Sequence, residues 1–168
     1  MRASIVALLS LALAAPAGAA PAPRVAVANF EQLAKPLPLP YDEQANAQVV
    51  VAAAKARAKA RHKLLLIDLG GNWCLDCRLL AGTMDLPQLR KFIAAHYEVA
   101  IVDVGRLDKN LDIPAQYGIK DRLEGVPSVL IVDPRTDRLI NRGRTAALAD
   151  ARSMTPQALA DWLAGWTV

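Results

Sequence analysis

The chain has 168 residues, 54% hydrophobic and 21% charged, with 20 Lys and Arg against 16 Asp and Glu for a net charge of +4. So modest an excess, with only 5% aromatic residues, excludes the broad basic, aromatic-laced face of a nucleic-acid binder, and no nucleic-acid partner is expected. Two cysteines are too few for a disulfide-stapled scaffold, and Cys74 and Cys77 stand too close in sequence for their loop to stabilise much.

The chain opens "MRASIVALLSLALAAPAGAA", a minimal charged start at Arg2, an apolar run from Ile5 to Ala15 and the small-x-small pattern Ala17-Gly18-Ala19. This is the layout of a signal peptide, 1–19, cleaved near Ala19. The run is about 11 residues, short of the roughly 20 that a spanning helix needs. No cysteine near the cleavage point is placed to carry a lipid, and no later stretch suits a membrane span. The expected product is exported, without stable membrane insertion, and monomeric. Its roughly 149 residues suffice for one domain with a real core.

Residues 20–41 are rich in Pro and Ala, with "KPLPLP" at 35–40, and read as an irregular extended arm. "VAVANF" (25–30) is a candidate edge strand. The domain proper is expected over 42–168. A helix is predicted over 42–61, capped by Asp42, with Ala45, Val49, Ala52, Ala53, Ala56 and Ala60 on its inner face. The "KARAKARHK" segment (55–63) reads as its solvated end, with cations that complement the helix dipole. "LLLIDL" (64–69) suits a buried central strand. A helix over 74–82 follows, interrupted by "GTMDLP". A second helix is capped by Asp85 and turns Leu89, Phe92, Ile93 and Tyr97 inward. "VAIVDV" (99–104) is a second buried strand. Asp112 to Tyr117 form a short helix ended by Gly118. "SVLIVD" (128–133) and "RLINRGR" (138–144) are strands joined by a turn at "PRTD". Thr155-Pro156 opens the last helix, with Leu159, Trp162, Leu163 and Trp166 as a core stripe. Strands separated by helices imply a parallel pair, and the terminal hairpin adds antiparallel strands. The fold class is α/β, a mixed central sheet flanked by helices on both faces.

The chemistry sits in "NWCLDC" (72–77). In disulfide exchange the thiolate is the nucleophile. Cys74 follows a buried strand and opens a helix, so its sulfur faces the unpaired N–H groups of the first turn, which favour negative charge. Cys77, one turn later, is within reach to resolve a mixed disulfide. Trp73 is expected to cover the sulfurs. Asp68 lies in an apolar strand, where burial raises a carboxyl pKa, and it is expected to move a proton to or from Cys77.

"LLLIDLGGNWCLDC", with "YGIKDRLEGVPSVLIVD" about fifty residues later, resembles the thioredoxin superfamily over roughly residues 42 to 167. The resemblance implies a thioredoxin-like fold, Cys74 as nucleophile, Cys77 as resolving thiol, Asp68 as the strand acid, Trp73 as the flanking aromatic, and Pro127 as the proline that faces the disulfide from a cis peptide. Val126 then offers its backbone to an extended substrate, and the proline ring blocks metal binding by the thiols. "WCLDCRLLAGTMDLPQLRKFIAAHYEVAIVDV" is similar to exported members such as the C-terminal periplasmic domain of DsbD-type disulfide reductases. Three departures stand out: Leu75-Asp76 between the cysteines, a long "KDRLE" loop before Gly125-Val126-Pro127, and no lysine beside Asp68.

Residues and resemblance together imply a periplasmic thiol–disulfide oxidoreductase acting on protein disulfides, without cofactor or resident metal, reduced by a membrane thiol reductase. Leu75 and Asp76 are read as redox-tuning residues. Asp76 brings negative charge near Cys74 and Leu75 offers no positive charge against it, so the thiolate is disfavoured and the protein is expected to be a reductant. The alternatives are an exported copper carrier using the two thiols and a redox-inert adaptor.

Overall fold

A computed structural model of the protein describes residues 18–167, so the expected signal peptide lies almost wholly outside the described residues. The sheet is organised by β1 (Leu64–Gly70), in which every residue after the first is buried. A strand apolar on both faces has to be central, and the strand order is β2-β1-β3-β4. β1 pairs in parallel with β2 (Tyr97–Asp103), from Leu64 opposite Tyr97 to Gly70 opposite Asp103. It pairs antiparallel with β3 (Ser128–Asp133), from Leu65 opposite Val132 to Leu69 opposite Ser128. This is the expected mixed sheet.

The alternation of β1 divides the core in two. Leu65, Ile67 and Leu69 pack with Val51, Ala54 and Ala58 of α1 (Ala47–Ala60) and Ile113 of α4 (Asp112–Gln116). Leu66 packs with Leu80 of α2 (Leu75–Met84), Leu89 and Ile93 of α3 (Pro87–His96), and Leu159 and Leu163 of α5 (Pro156–Ala164). Helices therefore cover both faces.

Several boundaries differ from expectation, each for a local reason. α1 begins at Ala47 with Asn46, not Asp42, as its cap; Asn46 accepts a hydrogen bond from the Val49 N–H at 3.1 Å. Its buried face is Ala47, Val51, Ala54 and Ala58, whereas Val49 is 63% exposed. A helix apolar nearly all round does not announce its inner stripe. α2 runs on through Gly82 and Thr83 to Met84, where the Thr83 hydroxyl donates to the Leu79 carbonyl. Asp85 ends α2 and does not cap α3. Tyr97 belongs to β2, and its hydroxyl donates to the Leu163 carbonyl. Trp162 and Trp166 are half-buried at the edge of the core, edge to face at 5.6 Å. The basic end of α1 is less solvated than expected: Arg57, Arg61 and Lys63 converge on the buried Glu98 of β2.

The arm is irregular, with one 3-10 turn at Phe30–Gln32, and 25–30 forms no strand. It is nonetheless tightly packed. Leu33 and Leu37 close over Leu79, and Tyr41 reaches the main core.

β4 (Arg138–Leu139) is two residues long instead of the expected seven. The Ile140 N–H donates to the Ile131 carbonyl at 2.7 Å, and the fully buried side chain of Asn141 then takes over the ladder. It accepts from the Ile131 N–H at 2.9 Å and donates to the Val129 carbonyl at 2.7 Å. The Val129 N–H is taken by the Thr145 carbonyl. Asn141→Ala leaves a buried donor and a buried acceptor unpaired, at about 1–3 kcal/mol each. Urea unfolding should show a loss of about 2–6 kcal/mol; a loss below about 1 kcal/mol would mean that main chain closes the gap.

Candidate functional site

β1 delivers the chain to Gly70, a tight turn follows, and α2 starts at once. The Cys74 N–H donates to the Gly71 carbonyl at 3.0 Å, which sets the turn. Cys74 is the N-cap of α2, and its Sγ accepts from the Cys77 N–H at 3.1 Å. The sulfur thus takes the place usually held by a capping oxygen. Cys74 and Cys77 are joined as a disulfide with Cα atoms 5.3 Å apart. Cys74 is 5% exposed and Cys77 fully buried.

The loop before β3 closes the site from the other side. The Val126–Pro127 peptide is cis, and the Val126 carbonyl oxygen lies 3.4 Å from Cys74 Sγ. Trp73 is held toward the 105–106 loop: its Nε1–H donates to the Gly105 carbonyl at 2.7 Å, and the Arg106 guanidinium sits 4.5 Å over its ring. Trp73 and Leu75 are two of the few large exposed apolar side chains, at 46% and 45%. They frame a disulfide that is otherwise withdrawn from water.

Asp68 is 1% exposed. Burial lifts its carboxyl to about 7, against a hydrogen bond from Tyr41 that pulls it down. The Tyr41 hydroxyl donates to Asp68 Oδ1 at 3.0 Å. Burial above all, then the Asp68 charge, pushes the phenol up, so it stays protonated. Across β1, Asp68 faces Ile101 and Val129, which fits the absence of a lysine beside it.

Tyr41 was invisible as a site residue because it ends a Pro-rich arm. Two local signals point to it. Gly70 leaves room: a Cβ there would stand 2.8 Å from Cys77 Sγ and closer still to the Tyr41 hydroxyl. The residues flanking the cysteine motif hold the arm. Asn72 accepts from the Tyr41 N–H and donates to its carbonyl, at 3.1 and 2.8 Å. Arg78 donates to the Pro38 and Leu37 carbonyls, at 3.2 and 3.0 Å.

Asp76 corrects the expectation that it sets an uncompensated negative charge beside Cys74. It is buried, and Arg152 answers it with its guanidinium and, at 2.9 Å, its backbone N–H. Burial pushes the carboxyl up, but the Arg152 hydrogen bonds and charge outweigh it, and the group rests below the usual carboxylate range. Nothing within a helical turn of Asp76 in sequence signals this partner.

Among the described residues, no group of three or more His, Cys, Asp or Glu side chains is placed to hold a metal ion. His62 and His96 line a cleft of about 330 Å³ with Leu64 and Asp133, at the opposite end of the sheet from the disulfide.

The thioredoxin-like family model matches residues 46–134. The chain is 38% identical to a protein described as a disulphide isomerase from Xylella fastidiosa Temecula1, with a TM-score of 0.68, covering 76% of this chain and 96% of that one. It is 20% identical to a Pseudomonas aeruginosa protein of unknown function, with a TM-score of 0.39, covering 71% and 83%. No curated protein matches the chain.

The raised Asp68 carboxyl has a consequence for stability. Between about pH 4, where an unfolded Asp ionises, and about pH 7, the folded state holds a proton that the unfolded state has lost. Stability from this group is therefore complete below about pH 4 and declines as pH rises, by up to about 1.4 kcal/mol per pH unit. Chemical unfolding of the oxidised protein should show this decline, and Asp68→Asn should flatten it. An equal slope in the variant would assign the titration elsewhere.

Proposed function

The chain belongs to the thioredoxin-like family, and on that footing we propose that it is an exported thiol–disulfide oxidoreductase that works from its reduced form on disulfides of other proteins. The observation that carries the reading is the Cys74 sulfur, bonded to the Cys77 N–H at the start of α2 beside the Val126 carbonyl. In the dithiol form that N–H and the helix start favour the thiolate at Cys74. The Xylella neighbour's description as an isomerase supports the same chemistry.

Cys74 thiolate attacks one sulfur of a client disulfide, the other leaves as a thiolate, and a mixed disulfide forms. Cys77 then gives its proton to the Asp68 carboxylate and attacks Cys74 Sγ. The second client thiolate leaves and the Cys74–Cys77 disulfide is restored, two electrons having passed to the client; both client thiolates take up protons from solvent. Trp73 and Leu75 give the client an apolar landing surface, and the Val126 backbone lies where an extended client segment passes. The leader pattern at 1–19 supports export to the periplasm, and there a membrane thiol reductase returns the electrons.

The direction rests on less than the sequence alone indicated. Arg152 balances Asp76, and Leu75-Asp76 brings no net positive charge to stabilise the Cys74 thiolate. The reduction potential is expected nearer the thioredoxin end, about −270 mV, than the oxidant end, about −120 mV. Equilibration with glutathione buffers measures it, and a value above about −170 mV overturns the reductant assignment. Arg152→Ala frees the Asp76 charge, disfavours the thiolate and should lower the potential by roughly 6–21 mV, given about 0.3–1 kcal/mol for such charges.

The roles of the thiols are tested by trapping. Cys77→Ser should accumulate mixed disulfides with clients and Cys74→Ser should accumulate none. The reverse pattern would exchange the two roles.

A further inference from the structure

We propose that Tyr41 is a positioning residue of the exchange cycle, holding the Asp68 carboxylate in place for proton transfer with Cys77. The inference rests on the proposed relay and adds to it a residue from outside the strand–helix unit that carries the cysteines. Its basis is geometric. The Tyr41 hydroxyl donates to Asp68 Oδ1 at 3.0 Å, and both Tyr41 and Asp68 are shut from water at 2% and 1% exposure. The missing side chain of Gly70 lets the same hydroxyl and Cys77 Sγ approach one point of β1. No other side-chain hydrogen bond reaches Asp68 among the described residues.

The arm presents Tyr41 with little freedom. Asn72 grips its backbone by two hydrogen bonds, and Arg78 fixes the carbonyls of Leu37 and Pro38 just before it. Asn72 and Arg78 stand two residues before Cys74 and one after Cys77. The segment that bears the sulfurs therefore also sets the register of the phenol against the relay.

In the resolving step the Cys77 thiol loses its proton, Asp68 gains it, and Cys77 forms the bond to Cys74 Sγ as the client thiolate leaves. Tyr41 loses nothing; its O–H stays bonded to Asp68. A donor of this kind stabilises the ionised carboxylate more than the acid, so it keeps Asp68 available as a base in surroundings that favour the neutral form.

The charged and titratable groups around Asp68 are few. The arm contributes Tyr41 and α2 contributes Cys77. The β1 neighbours across the sheet, Ile101 and Val129, do not titrate. Asp103, farther along β2, acts on Tyr41 and is paired with Lys109 at 3.0 Å.

The test is the pH dependence of resolution, followed as release of a chromogenic aryl thiol from its mixed disulfide with Cys74 in the mature chain. The unaltered protein should show a limb near pH 7. Tyr41→Phe should move that limb up by about one pH unit, the worth of a hydrogen bond to a charged group. Below the limb this is about a tenfold loss, with the high-pH plateau nearly unchanged. Asp68→Asn should abolish the limb. A Tyr41→Phe limb at the original pH, or a rate lowered equally at every pH, overturns the positioning role while the relay stands. A limb that survives Asp68→Asn removes the relay itself and the proposal with it. A second variant keeps the fold beyond question: 3-fluorotyrosine at position 41, a stronger donor of nearly the same size, should move the limb to lower pH. No movement would also overturn the proposal.

Discussion

A carboxyl group in the middle of the most apolar strand is costly, and much of the architecture near the disulfide answers that cost. Asp68 sits with Leu65, Leu66, Ile67 and Leu69 around it, all fully buried. Left alone, such a group stays neutral and is of little use as a base. The structure supplies one donor, the Tyr41 phenol, and everything needed to deliver it. Gly70 clears the space, Asn72 fixes the backbone of Tyr41, and Arg78 fixes the residues before it. Leu33 and Leu37 then anchor the arm against Leu79. What looks like a proline-rich leader to the domain sends three side chains, Leu33, Leu37 and Tyr41, into its interior.

The cysteine pair follows a similar logic of local cause. A strand ends in two glycines, the chain turns, and the first helical N–H meets a sulfur where a hydroxyl or carboxylate is usual. Trp73 is drawn aside by Gly105 and Arg106. Leu75 stays exposed between the two buried sulfurs of the disulfide. The result sets an apolar, exposed rim beside a buried sulfur that accepts a backbone N–H, and the proposed nucleophile role of Cys74 rests on that combination.

How much of this was legible in the sequence depended on range. The strands expected at 64–69 and 128–133 were plain because continuous apolar runs of that length have few other uses, and the first runs on only to Gly70. Cys74, Cys77, Asp68 and Pro127 were drawn together by the resemblance to the thioredoxin superfamily, and the fold sets the cis Val126–Pro127 peptide beside the Cys74–Cys77 disulfide. The inner face of α1 was not, because alanine and valine surround the helix and only tertiary contact selects Val51 over Val49. The partners of Asp76 and Asp68 were hidden for another reason. Arg152 and Tyr41 lie 76 and 27 residues away, and charge or hydroxyl pairing over such distances leaves no periodic trace. Asp76 shows the consequence: read locally it was a destabilising charge, and in the fold it is half of an ion pair.

The short β4 bears on a different property of the molecule. A sheet ordinarily ends in a strand whose outward N–H and C=O groups invite another chain to pair. Here the last regular strand has two residues, after which the Ile140 N–H, the Asn141 side-chain amide and the Thr145 carbonyl satisfy β3. An asparagine side chain can complete a ladder but cannot extend one, since it offers no second row of main-chain groups beyond itself. On that side the sheet offers strand exchange only a two-residue edge. That restraint suits a protein whose proposed work brings it repeatedly against the exposed, partly unfolded segments of others.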